Sequence, residues 1–151
     1  MPKLKFVIAC EKVVIDQAGP VSIISMFQRM NIQLQEGTTL PDKAIAPNQW
    51  AIFCLWETNP QEVGREFVQM VKFYTPDGTL FIDHEQPFKN DDIENLQIKV
   101  NLGFNSMPIW TEGMAEVKVW LKGEEVEVGS YAFQIGYVFT PLPTAVVEAV
   151  A

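Results

Sequence analysis

KFVIACEKVVIDQAGPVSIISMFQRMNIQL, residues Lys5 to Leu34, is the stretch on which the fold turns. Phe6 to Cys10, Val13 to Ile15 and Val21 to Leu34 are rich in β-branched and apolar side chains, and only Asp16-Gln17-Ala18-Gly19-Pro20 separates the two arms. Such side chains suit a pleated surface, and a short loop carrying Gly and Pro joins neighbouring antiparallel strands. The stretch therefore predicts one long hairpin. Its alternation slips once in each arm. Phe6, Ile8 and Cys10 share a phase that moves to Val13 and Ile15 after Glu11-Lys12; Val21, Ile23 and Phe27 share a phase that moves to Met30, Ile32 and Leu34. A one-residue β-bulge in each arm would keep these residues on one side, and burial on both faces is the other reading. Two long bent strands are what a sandwich or barrel needs to wrap its core.

Outward from the hairpin, Gln35 to Asn48, with Gly37, Pro41 and Pro47, reads as a connection over one end of the fold. Trp50-Ala51-Ile52-Phe53-Cys54-Leu55-Trp56 is apolar in both phases, the mark of a central strand covered on both sides. Glu66 to Tyr74 and Leu80 to Ile82 form a hairpin around Thr75-Pro76-Asp77-Gly78, which has Pro and Gly where a tight turn wants them. Asp83 to Asp92 reads as a polar loop. Leu96, Ile98, Val100, Leu102 and Phe104 alternate with polar or small residues; Val117, Val119 and Leu121 do the same, and Tyr131 to Phe139 is the last long strand, stopped by Pro141 and Pro143. No helical period is sustained. The expectation is an all-β, antiparallel β-sandwich, immunoglobulin-like or C2-like, of about eight strands. A single domain covers residues 1–143, followed by a short tail, residues 144–151, too brief for a stable helix.

The chain has 151 residues, 48% of them apolar, ample for one core, and its 19 acidic against 11 basic residues give a net charge of −8. Such a surface repels phosphate, which argues against nucleic-acid or anionic-membrane partners. No apolar run approaches the roughly 18–20 residues of a membrane span, and the apolar run before Cys10 is too short for a secretory h-region. Cys10 and Cys54 lie inside apolar strands and are expected to be buried free thiols, which points to the cytoplasm.

Ala9-Cys10-Glu11, Asp16, Gly19, Val21-Ser22-Ile23-Ile24 with Phe27, Trp50 to Trp56, Pro76-Asp77-Gly78 and Gly129-Ser130-Tyr131-Ala132-Phe133 together resemble a family of uncharacterised bacterial all-β domains of unknown function. The resemblance spans most of the chain and implies a compact all-β domain in a bacterium. Its motifs are structural, and it brings no catalytic or binding residues with it.

Three constellations are candidates for function. His84, in Asp83-His84-Glu85, is the sole histidine, so any Ser-His-Asp or Cys-His site would depend on it, and no nucleophile elbow surrounds it. Asp16, Asp77, Asp83, Glu85, Asp91, Asp92 and Glu94 fall near expected turns and would bind calcium only if several converged; Asp also favours turns for purely local reasons. Finally, Ile109 and Trp110 sit in an expected loop, and Trp120 lies in the outward phase of its strand. They either plug one end of the sandwich or form one interaction patch, since Trp is enriched at interfaces. The sequence favours a non-enzymatic binding or assembly module, contacting a protein partner or a second copy and using no cofactor or metal. The alternative is a metal-dependent domain or hydrolytic enzyme using the acidic loops with His84.

Overall fold

The computed structural model describes residues 1–16 and 20–141. Gln17 to Gly19 of the expected turn, and the expected tail, lie outside these residues. Nine strands follow in order: β1 (Lys3–Ile15), β2 (Val21–Met26), β3 (Arg29–Gln35), β4 (Ile45–Glu57), β5 (Glu66–Tyr74), β6 (Leu80–Lys89), β7 (Gln97–Pro108), β8 (Gly113–Leu121) and β9 (Gly129–Thr140), with one 3₁₀ turn at Pro60–Glu62. They form a four-stranded sheet in the order β2-β1-β4-β7 and a five-stranded sheet in the order β3-β9-β8-β5-β6. The chain is a β-sandwich, as its alternation predicts.

Between the sheets lie Val7, Ala9, Trp50, Ile52, Cys54 and Trp56 from one side and Val71, Phe73, Val117, Val119, Phe133 and Ile135 from the other. Phe73 is central: its ring is 5.2 Å from Trp50 and 5.8 Å from Phe133. A side chain of this size contributes about 1.5–3 kcal/mol on full burial. One polar pair interrupts the apolar interior. Trp56 Nε1 donates to Gln69 Oε1 at 2.5 Å, with both residues fully buried, and Gln69 Nε2 has no partner among the described residues. Gly129 lets the sheets approach at another point, since a Cβ there would stand 2.5 Å from Leu4 Cδ2.

The opening stretch departs from the expected hairpin in two ways. Its second arm is not one strand: β2 pairs antiparallel with β1 from Ile15↔Val21 to Cys10↔Met26, and then the chain changes sheets and β3 runs parallel to β9. Phe27 is the pivot. Its N–H donates to Ala9 O at 2.9 Å on one sheet, its carbonyl accepts from the Tyr131 hydroxyl on the other, and its ring packs on Trp50 and Phe133. The phase change between Val21, Ile23 and Met30, Ile32 is thus a crossing between sheets and not a bulge, and the β3–β9 pair corrects the purely antiparallel expectation.

The first arm does contain a register shift, but between Leu4 and Phe6 on its β4 side; no shift is found at Glu11-Lys12. Instead β1 leaves β4 after Cys10↔Ala51 and continues paired with β2 alone. The resulting two-stranded ribbon lies over the outer face of its own sheet. Val13 and Val21 pack on the second core cluster, Ile8, Cys10, Ala51 and Phe53, and Glu11 to Val13 line a groove with Asn101, Gly103 and Phe104 of β7. This ribbon is why Val7 to Cys10 and Trp50 to Cys54 are buried on both faces.

Strands also extend into expected loops. Asp83 to Lys89 belong to β6, an edge strand exposed from Asp83 to Glu85 and buried again at Phe88; Asn105 to Pro108 complete β7. Pro87 and Pro108 are tolerated because both strands are edges, where a missing donor breaks no ladder on the open side.

Candidate functional site

Ile109 and Trp110 connect β7 to β8, and the geometry gives each a structural task. Ile109 is 8% exposed and belongs to the core, with its N–H donating to Ala44 O at 3.0 Å and its carbonyl accepting from the Tyr137 hydroxyl. Trp110 is half-buried. Its Nε1 donates to Asp77 Oδ2 at 2.9 Å, its ring meets Phe81 edge-on at 5.9 Å, and Lys43 Nζ stands 4.8 Å from its centroid.

Asp77 receives this bond because the Thr75-Pro76-Asp77-Gly78 turn forms as expected. Gly78 N–H donates to Thr75 O at 2.9 Å, and Gly78 takes φ 84°, cheap only for glycine. Hydrogen bonds from Thr75, Trp110 and Thr79 hold the Asp77 carboxyl well below the usual carboxylate range. Trp110 and Asp77 therefore clamp two loops together across 33 residues of sequence.

Trp120 is elsewhere. It stands on the outer face of the five-stranded sheet opposite Met70, near the far end of β8 from Trp110, with Lys72 Nζ 5.5 Å from its ring centroid. The structure thus does not bring Ile109, Trp110 and Trp120 into one patch: the loop does not fold back over β8, and it closes the sandwich end instead.

His84 is exposed on β6, opposite Val71, and its Nε2 lies 3.3 Å from Gln86 Oε1. Asp77 serves the turn, Glu85 pairs with Lys122 at 3.1 Å, Asp91 pairs with Lys89 at 3.3 Å, and Asp92 Oδ1 accepts from Glu94 N–H at 2.9 Å. Among the described residues no three His, Cys, Asp or Glu side chains gather around one point. Cys10 and Cys54 are buried free thiols. Burial pushes the Cys54 thiol up to about 12 and raises Cys10, so neither is poised as a nucleophile.

What the sequence did not mark is the outer side of the β1–β2 ribbon. Lys12, Val14, Ser22, Ile24 and Met26 of the ribbon are exposed. Val14 is 45%, Ile24 43% and Met26 48% exposed, and Ile15 and Ile23 are partly exposed beside them. β2 itself is exposed from Ser22 to Met26, and its side away from β1 has no strand partner among the described residues. A groove of about 240 Å³ runs under the ribbon, lined by Phe6, Pro20, Val21, Phe53, Leu55 and Lys99. A usable signal was present: Val21 to Gln28 holds no charged residue in a chain of net charge −8.

Among the described residues no helix is long and apolar enough to cross a membrane. No protein-family model matches the sequence, and no curated protein matches it. Among solved structures the chain is similar to the CARDB domain of the PF1109 protein from Pyrococcus furiosus, solved in complex with di-metal ions, at 12% identity and a TM-score of 0.43 over 91% of this chain and 96% of that one.

Proposed function

We propose that this domain is a non-enzymatic binding or assembly module of the bacterial cytoplasm, with the β1–β2 ribbon as its contact element. The observation that carries this reading is the concentration of large exposed apolar side chains on the ribbon, at Val14, Ile15, Ile23, Ile24 and Met26. Apolar groups collected on one exposed element mark surfaces that another molecule covers. The free buried thiols fit a reducing compartment, and the net charge of −8 disfavours phosphate-rich partners. The ribbon replaces the patch of Ile109, Trp110 and Trp120, of which only Trp120 retains an outward face free of a loop-closing task.

The test is a photo-reactive amino acid placed at Met26 in cells, with Met114, 57% exposed on the other sheet, as the control position. Covalent protein adducts from Met26 and not from Met114 support the reading. Adducts from neither position, or a hydrolytic activity abolished by His84→Ala, overturn it.

A further inference from the structure

We infer that the β1–β2 ribbon is a strap that lifts as one piece off the four-stranded sheet, about a hinge line through Cys10 and Ser25, and uncovers the second core cluster. The inference concerns what the ribbon hides and goes beyond what it contacts. Both arms of the ribbon change character at one level. β1 makes its last pair with β4 at Cys10↔Ala51, and the same Cys10 faces Met26 of β2. Beside Met26 stands Ser25, whose φ of 56° lies in the left-handed region that a residue with a side chain adopts at a cost, and the β1–β2 ladder steps over it from Lys12↔Ile24 to Cys10↔Met26. At the foot of this level Phe27 ties the chain to both sheets, through its N–H to Ala9 O and its carbonyl to the Tyr131 hydroxyl. The two arms thus pass at adjoining residues from a fixed base to a two-stranded extension. A few residues at an element's end that absorb a change of φ and ψ are what a hinge requires.

Grooves flank the extension. One of about 240 Å³ lies against Phe6, Pro20, Phe53 and Leu55, and another of about 310 Å³ lies between Glu11 to Val13 and Asn101, Gly103 and Phe104. The seat includes Val13 from one arm and Val21 from the other, each only partly buried, packed on Ile8, Cys10, Ala51 and Phe53. Beneath that seat burial is nearly complete: Cys10 is 0% and Phe53 1% exposed. Protein interiors are close-packed, so an element seated beside open grooves gives up fewer contacts on lifting than a core strand does. A two-stranded extension also adds little stability of its own, which places it among the segments that open below the free energy of global unfolding.

The native thiols report this motion without an added probe. Cys10 lies in the cluster under the strap, whereas Cys54, equally buried, lies between the sheets. The experiment is a time course of slow N-ethylmaleimide labelling of the intact chain in a series of urea concentrations below the unfolding transition, with the labelled cysteine identified by peptide mass spectrometry. Labelling slower than reclosing follows the population of the opened form. Cys10 is expected to react at least about tenfold faster than Cys54 and with a weaker dependence on urea, because lifting the strap exposes less surface than unfolding the sandwich. Val13→Ala and Val21→Ala, one from each arm, should each speed the labelling of Cys10. Val119→Ala, buried between the sheets in β8, should speed Cys54 and leave Cys10 unchanged, since its contacts persist when the strap lifts. Equal rates and urea dependence at the two thiols, or a Val119→Ala variant that speeds both alike, would mean that Cys10 is reached only by global unfolding and would overturn the strap. An arm variant without effect on Cys10 would overturn motion as one piece, and a Cys10 that reacts as fast as a thiol in solution would show that the ribbon does not cover it. Each of these failures leaves the contact reading to its own test, the adducts at Met26.

Discussion

Trp56 and Gln69 offer a sharp measure of how the two sheets are locked in register. They face each other across the core, fully buried, and the indole N–H donates to the amide oxygen at 2.5 Å. Gln69→Leu keeps most of the volume but strands the indole donor, which costs about 1–3 kcal/mol for a buried unsatisfied group. Trp56→Phe loses packing against Phe88, whose ring is stacked 5.0 Å away, and also strands the amide oxygen, so a cost of about 2–5 kcal/mol is expected. The double variant strands neither group. Its cost should fall short of the sum of the single costs by about 1–3 kcal/mol, because an apolar pair of similar shape replaces a satisfied polar pair nearly neutrally. Urea denaturation followed by far-ultraviolet circular dichroism gives all four corners of the cycle. Additivity within about 0.5 kcal/mol would refute the coupling and with it the role of this bond in aligning the sheets.

Phe73→Ala, at the centre of the ring cluster, should cost about 3–5 kcal/mol in the same assay, whereas Ile24→Ala, 43% exposed, should cost under about 1 kcal/mol; equal losses would contradict the placement of the ribbon. Cys54 titrates near 9 ordinarily and near 12 in the fold, so the unfolded chain loses its proton first. Its contribution is full below about pH 9 and declines between about 9 and 12, which Cys54→Ala should abolish as a slope in stability against pH. His84→Ala should melt within about two degrees of the wild type, and a larger fall would mean that the edge position of His84 is misassigned.

The sheet sandwich was legible because Val100 and Leu102 of β7 and Val117, Val119 and Leu121 of β8 are buried and alternate with more exposed residues. The double burial of Trp50 to Trp56 was legible too, but not its cause. Apolar residues in both phases require cover on both sides, and local sequence cannot say whether a second sheet or a folded-over ribbon supplies it. At Phe27 the phase change is visible in the sequence, but a change of side along the chain looks the same whether the strand kinks, is buried on both faces or changes sheets. Asp83 to Lys89 reads as loop because an exposed edge strand carries the polarity of a loop. Trp110 was unreadable for a different reason: its partner Asp77 lies 33 residues away, and no local pattern encodes that clamp.

The ribbon joins the fold problem to the functional one. Beyond Cys10 it no longer pairs with β4, and Val13 and Val21 pack against the cluster of Ile8, Cys10, Ala51 and Phe53. A lone two-stranded hairpin is marginal in water, and three or more strands with a buried face are what confers independent stability. The ribbon as it stands is therefore the part of the sandwich that gains most from one more strand. Adding a strand to β2 satisfies its open edge and adds neighbours for the exposed Ile24 and Met26. Association and ribbon order are thereby coupled: whatever docks on β2 also tightens the lid on the second core cluster. Amide exchange in Val13 to Ile15 and Val21 to Met26 should accordingly be faster than in β5 and β8; equal protection throughout would contradict the marginal hold of the ribbon.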